Sequence, residues 1–311
     1  MKVLVTGGAG FIGSTLVDAL LAHGHDVYVV DDLSAGRLPN LDEARRERGV
    51  KFHRYDIGSE AVGDLMQQVR PDVVFHMAAQ ASVPKSVADP VHDAEINVIG
   101  LLRILDACVA SEVGKFVFAS SGGTIYGTQT TLPIKETAVG RPLSPYGITK
   151  RVGEDYVRFY KEESGLDFTS LALANVYGPR QDPHGEGSVV SRFALKLLAG
   201  EPPTIDGTGE QTRDLVYVDD VANAFVRAME KGSGETINIA TGYETSINDL
   251  YLVMADICDF DGAPLRGPAR PGDVLRNALD ASKAKKLLGW EAWTSLRDGL
   301  SKTITWFRKN T

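Results

Sequence analysis

The sequence predicts an α/β protein: a doubly wound parallel sheet followed by a smaller C-terminal lobe. Three observations predict it. Strand-like apolar runs alternate with helical segments from residue 2 to about residue 173, the pattern of right-handed βαβ units. The first two runs are separated by Gly7-Gly8-Ala9-Gly10-Phe11-Ile12-Gly13 and the second closes on Asp31. Beyond Arg180 the alternation gives way to short elements rich in glycine, proline and charge.

Residues 2–6 have the length and β-branched content of a buried strand. A glycine turn follows, then an apolar-periodic helix through Leu21, then a second strand over residues 26–30. Gly7, Gly10 and Gly13 let the backbone turn tightly against a pyrophosphate, whose charge sits among the free N–H groups opening the helix at Phe11 and Ile12. Asp31 stands where a carboxylate accepts hydrogen bonds from both adenosine ribose hydroxyls and repels a 2′-phosphate. Strand, glycine turn, helix, strand and acid together make the first unit of a Rossmann-type dinucleotide-binding sheet, with NAD favoured over NADP.

The turn Asp32-Leu33-Ser34-Ala35-Gly36 lies over the adenosine end of that cofactor. Residues 41–48 are charge-rich and read as a short exposed helix, with Arg37, Arg45, Arg46 and Arg48 on a solvated face. A third strand over 50–55 leads to Asp56-Ile57, a helix over 59–69 to Pro71, and a fourth strand over 72–75 into His76-Met77-Ala78-Ala79-Gln80. Small residues there let the backbone pass close to a ligand. Residues 93–111, apolar at Ile96, Ile99, Leu102, Leu105 and Val109, predict one long amphipathic helix. A fifth strand over 115–119 opens into Ser120-Ser121-Gly122-Gly123-Thr124-Ile125-Tyr126-Gly127. Ser144 as N-cap and Pro145 at the first helical position start the next helix. A sixth strand spans 168–173.

Later elements are helices over 189–198, 219–229, 247–258 and 296–307, and strands over 213–218 and 236–240. Residues 1–175 are expected to form the cofactor domain, with about 211–241 returning to it, and 176–311 mostly the substrate lobe.

The 311 residues carry a formal charge of −8, which disfavours general affinity for nucleic acid or anionic lipid. No apolar run reaches the ~18 residues of a membrane span. A strand beginning at residue 2 leaves no room for a leader peptide, so a cytoplasmic location is expected. Cys108 and Cys258 are too few and too far apart for a disulfide framework or a metal site. The histidines show no ligand spacing, His76 reads as a satisfied residue at the edge of the core, and no metal is expected. Asp219-Asp220 is read as a helix N-cap, and Trp290, Trp293 and Trp306 as packing residues.

Tyr146 and Lys150 lie four residues apart, on one helix face, just after the fifth strand. Ligands bind at the carboxyl edge of such a sheet. A neighbouring ammonium and the positive helix end favour the phenolate, so Tyr146 is a candidate general base at neutral pH.

Thr6-Gly7-Gly8-Ala9-Gly10-Phe11-Ile12-Gly13, Ser120-Ser121 to Tyr126-Gly127, Pro145-Tyr146-x-x-x-Lys150, Asn175-Val176-Tyr177-Gly178-Pro179-Arg180 and Arg213-Asp214-x-x-Tyr217-Val218-Asp219-Asp220-Val221 together resemble the extended short-chain dehydrogenase/reductases. Among these the chain is most similar to the UDP-glucose/UDP-galactose 4-epimerases, from Met1 to about Trp290. The resemblance implies tightly bound NAD, a homodimer, and a redox-neutral cycle in which the sugar is oxidised at C4, turns about its diphosphate link and is reduced again. Tyr146 would be the base and Lys150 its partner. Asp32, Leu33, Ser34, Gly36, Asp56, Ile57, Met77, Ala78, Ala79, Gln80, Asn97 and Ser120 would join the glycines and Asp31 around NAD. Asn175, Val189, Arg213, Arg270 and Asp273 would hold the UDP part. Asn277, where relatives that exclude N-acetylated sugars carry Tyr, would line the sugar pocket.

One departure bears on catalysis. Many relatives carry Ser or Thr where this chain has Gly122, which leaves the hydrogen-bond donor to the sugar open between Ser121 and Thr124. Gly122-Gly123 also replaces the Asp-Glu pair of the 4,6-dehydratases and argues against that activity. A UDP-glucuronate 4-epimerase and a non-catalytic NAD-dependent sensor are the other readings, the intact Tyr146/Lys150 pair counting against the sensor.

Overall fold

The computed structural model describes residues 1–47, 49–183, 189–269 and 274–310. The chain begins β1 (Lys2–Thr6), α1 (Phe11–Ala22), β2 (Asp26–Val30), α2 (Asp42–Glu47), β3 (Lys51–His53), α3 (Glu60–Val69) and β4 (Val73–His76). It continues through α4 (Val83–Ala88), α5 (Pro90–Ala94), α6 (Leu101–Ala110), β5 (Lys115–Ser120), α7 (Pro145–Ser164), β6 (Asp167–Leu173) and β7 (Asn175–Tyr177). Next come α8 (Val189–Leu198), β8 (Thr204–Asp206), β9 (Thr212–Arg213), β10 (Leu215–Tyr217), α9 (Val218–Ala228) and β11 (Glu235–Ile239). β12 (Thr245–Ser246), α10 (Ile247–Ile257), β13 (Leu265–Gly267), α11 (Ser282–Leu288) and α12 (Leu296–Asn310) complete it.

Seven strands pair in parallel in the order β11-β6-β5-β4-β1-β2-β3. The order reverses between β1 and β4, and that switch point opens a crevice beyond the carboxyl ends of the strands. Side chains alternate across the sheet, so the strands read as nearly continuous apolar runs because both faces are covered. Val3 and Val5 pack with Leu16 and Leu20 of α1 and Phe225 of α9. Leu4, Val74 and Phe116 pack on the other face with Met66, Ile104 and Leu105. Each such side chain contributes about 1.5–3 kcal/mol on burial. The C-terminal lobe has its own core, in which Phe193 of α8, Tyr251 of α10 and Leu300 and Phe307 of α12 meet.

The cap of α7 forms as its residues require. Ser144 Oγ accepts from the Gly147 amide at 3.1 Å, Pro145 sits at the first position, and Gly165 ends the helix at φ 73°. Such a cap is worth about 1 kcal/mol.

The structure corrects the sequence expectations in five places. The single helix over 93–111 is instead α5, a π-turn over Glu95–Gly100, and α6. The wide turn rotates the helical face beyond it, so Ile99 and Val109 of the expected stripe are exposed while Leu101, Ile104 and Cys108 are buried. Residues 41–48 are not simply solvated, because Leu41 and Ala44 are buried in the main core. The strand over 213–218 breaks at Asp214, whose carboxylate accepts from Thr241 N and Oγ1, Gly242 N and Leu279 N. Asp220 does not cap its own helix. It is buried and accepts from Trp293 N, Thr294 N and Thr294 Oγ1, tying α9 to the segment before α12. Trp290 is buried as expected, with Nε1 donating to the Asp220 carbonyl, whereas Trp293 is exposed. The strands β8, β12 and β13 and helix α11 carry no periodic signal long enough to read.

Candidate active site

The glycine turn, residues 31–36, Asp56-Ile57 and residues 77–80 follow the carboxyl ends of β1, β2, β3 and β4. Gly7 leaves β1 at φ 69°, and a Cβ there would lie 2.6 Å from the Ala78 amide nitrogen. A Cβ on Gly13 would collide with the Gly7 carbonyl oxygen. Gly10 N donates to that same carbonyl at 3.1 Å, and no side chain caps α1. The first turn of α1 thus keeps its amides for an anion, over a cradle that side chains would fill.

Asp31 closes β2 with its carboxylate buried, accepting from Ala9 N at 2.9 Å and Leu33 N at 2.8 Å. Burial pushes its carboxyl up, and these two hydrogen bonds oppose the shift. Gly36 packs against it so closely that a Cβ would stand 2.6 Å from Oδ1. Asp32 is occupied by its own turn, accepting from Ser34 N and Oγ. Asp56 likewise accepts from Gly58 N, and Ile57 is buried against Gly100. Met77 and Ala78 are pinned over the glycine turn by hydrogen bonds to Thr6 O and Oγ1. A dinucleotide fits this set: an amide-lined cradle for the pyrophosphate, a carboxylate for the ribose, and a close backbone rail from Met77 through Ala79.

Two of the expected cofactor residues turn inward. Asn97 accepts from Gln80 N and donates to Gln80 O at 2.8 Å, to Asp93 Oδ1 and to Thr149 Oγ1. Its amide holds the Met77–Gln80 rail from behind. Ser120 Oγ donates to Glu154 Oε1 at 2.6 Å beneath the loop after β5.

Tyr146 and Lys150 are both buried on the first turns of α7. Lys150 Nζ donates to the Ala119 carbonyl at 2.9 Å and lies 5.0 Å from the Phe118 ring centre and 5.9 Å from that of Tyr146. Burial brings its ammonium down to about 8, opposed by the charges of Asp93 and Glu154. His76 stacks on Phe116 and Phe118, bonds Thr6 Oγ1 through Nδ1 at 2.9 Å, and is pushed by burial down to about 3. It is the satisfied neutral residue the sequence suggested.

The loop after β5 is tightly packed at Gly122. A Cβ there would collide with Leu279 Cδ1 and lie 3.0 Å from the Ala172 carbonyl oxygen. Thr124 Oγ1 donates to the Ser121 carbonyl at 3.3 Å, whereas Ser121 Oγ has no partner among the described residues. Asn175 and Asn277 each bury a side-chain carbonyl oxygen that no described group satisfies. Arg213 Nη1 donates to the Thr212 and Val274 carbonyls, both at 2.7 Å, and Val189 opens α8 half-buried. Arg270 and Asp273 lie outside the described residues.

Sequence reasoning missed Asp93, Glu154 and Asp214 as parts of the site's frame. Glu154 had a signal, four residues after Lys150 on the same face, and Asp214 stands beside Arg213 in a motif that carries the resemblance.

The sequence profile of the NAD dependent epimerase/dehydratase family matches residues 3–240. The chain is 46% identical over 309 residues to a UDP-glucose 4-epimerase of Mycolicibacterium smegmatis, covering 99% of each. The crystal structure of a Thermotoga maritima UDP-glucose 4-epimerase with UDP-glucose superposes with a TM-score of 0.96 at 47% identity, over 100% of this chain and 99% of that one. A Thermus thermophilus UDP-glucose 4-epimerase in complex with NAD gives 0.93 at 41% identity, over 100% of both. With its glycine cradle, Asp31 and Tyr146/Lys150 pair, the chain belongs to the NAD dependent epimerase/dehydratase family.

Proposed function

We propose that this protein is a UDP-hexose 4-epimerase that interconverts UDP-glucose and UDP-galactose. The observation that carries the reading is the buried Tyr146/Lys150 pair on α7, at the same sheet edge as the glycine cradle and Asp31. NAD, held by the glycine cradle and Asp31, would supply reversible hydride acceptance at C4, so the overall reaction is redox-neutral. Tyr146 accepts the proton of the sugar 4-hydroxyl and returns it to the C4 oxygen once the sugar has turned. The Lys150 ammonium beside the ring and the positive end of α7 stabilise the phenolate that this requires. Ser121 or Thr124 donates to the sugar oxygen. Asn175, Arg213 and Asn277, with Arg270 and Asp273, hold the nucleotide and sugar, and guanidinium suits the diphosphate in a chain of net charge −8. Leu279 packs beside Gly122, and Gly122-Gly123 offer no acid/base side chain of the kind dehydration requires.

Incubation of the purified protein with UDP-glucose and with UDP-galactose, followed by resolution of the products, should give the same mixture from either side. No conversion of either sugar would sink the reading.

NAD is expected to co-purify, because the cofactor is regenerated within each cycle. Acid release followed by enzymatic assay should recover NAD; NADP in its place would overturn the role given to Asp31.

The reading includes a homodimer and a cytoplasmic location, the latter in keeping with two free cysteines, one of them buried. Val91 on α5, Ile99 on the π-turn, and Ile148 and Phe159 on α7 are exposed apolar side chains on neighbouring helices. Two copies would join these helices in a four-helix contact. Light scattering at micromolar concentration should give twice the 33.5 kDa chain mass, and a monomer would dispose of it.

A further inference from the structure

Asp93 on α5 is fully buried, yet every hydrogen bond its carboxylate makes is to a neutral group. Oδ1 accepts from Gln80 Nε2 at 2.7 Å and Asn97 Nδ2 at 3.1 Å, and Oδ2 accepts from Thr149 Oγ1 at 2.9 Å. No cation lies within ion-pair distance of it among the described residues. Lys150 is its mirror image. It too is buried, and its ammonium donates to a backbone carbonyl rather than to a carboxylate. Thr149, the residue before Lys150, links Asp93 to the first turn of α7, since its hydroxyl also contacts the Tyr146 carbonyl at 3.0 Å. An uncompensated buried charge is costly, and opposite charges sharing a low-dielectric region reduce that cost for each other.

We propose that Asp93 is a positioning residue for the active site: a buried counter-charge that keeps Lys150 cationic and, through Thr149, holds the first turn of α7 against α5. It rests on the reading of Tyr146 and Lys150 as the reacting pair. Among the described residues, these groups touch Lys150 or act on its charge. Tyr146 and Glu154 come from its own helix, Asp93 from α5, neutral His76 from β4, and the Ala119 carbonyl and Phe118 ring from β5. Glu154 is already engaged by Ser120 and by Arg151 at 3.5 Å, which leaves Asp93 as the carboxylate without a cationic partner. Burial favours loss of the Lys150 proton, and Asp93 is the larger of the two charges that oppose it. The lysine is cationic below its titration point and neutral above it, so removing Asp93 moves that point to lower pH.

The test is the titration of Lys150 in the NAD-loaded protein, followed by NMR of ¹³Cε-labelled lysine and assigned with Lys150→Met. Asp93→Asn should raise the Lys150 acid dissociation constant about tenfold, and the alkaline limb of kcat should move down in step. Thr149→Val, which keeps the charge and deletes one donor, should lower kcat while leaving the titration in place. Should Asp93→Asn fail to fold, Asp93→Glu serves, and it must leave the titration where the parent has it. An unmoved titration in Asp93→Asn, or an equal shift in Thr149→Val or Asp93→Glu, overturns the proposal. The NMR titration does not depend on turnover, so it stays decisive even if the assignment of Tyr146 as base fails.

Discussion

Tyr146→Phe is expected to lower turnover by ~10² to 10⁴ while the protein stays folded and keeps NAD. The substitution removes one oxygen from a buried ring and leaves the packing of α7 intact. The measurement is kcat with UDP-galactose, with retained nucleotide read from the same preparation. Near-parent activity would place the base elsewhere. Ser121→Ala and Thr124→Ala, assayed beside it, separate the two candidate donors. The Thr124 hydroxyl is directed at the Ser121 carbonyl and that of Ser121 has no partner among the described residues, so the larger loss is expected for Ser121.

Asn277→Tyr is expected to depress turnover of UDP-N-acetylglucosamine by ~10- to 100-fold relative to UDP-glucose, because selection against one extra group in a pocket is steric. Asn277 is buried, its carbonyl oxygen has no partner among the described residues, and the residues after it are fixed in place. Ala278 O accepts from Ile134 N, and Leu279 N donates to Asp214. With that segment held in place, a larger side chain at 277 would, on the proposed reading, take its room from the sugar pocket. Kinetics of the parent and variant on both sugars check this. Equal losses on the two sugars, or no N-acetyl activity in the parent, would show that Asn277 is not the gate.

Much of this site is written in short windows. The glycine turn, Asp31, the Ser144–Pro145 cap and the Tyr146/Lys150 spacing each depend on a few adjacent residues, and steric and capping rules act at that range. The main sheet was legible for the same reason, since strands buried on both faces and amphipathic helices announce themselves by period. The helix expected over 93–111 is there, but its regular stripe is broken, because a π-turn leaves no signature in a hydrophobic pattern and one extra residue turns the face away from the core.

The sequence by itself determined the fold class, the glycine turn with Asp31, and the Tyr146/Lys150 spacing from which the reacting pair is proposed. Only the tertiary structure decided which residues brace them. Asp93 reaches Thr149 across 56 residues, Asp214 reaches Leu279 across 65, and Asp220 reaches Thr294 across 74. It also set Leu279 against Gly122, so that a side chain at that position would require Leu279 to shift. A lone aspartate in a sequence looks the same whether it caps a helix, faces water or anchors a distant loop. Burial and the choice of donors separate these cases, and both arise only when segments far apart in the chain are packed together.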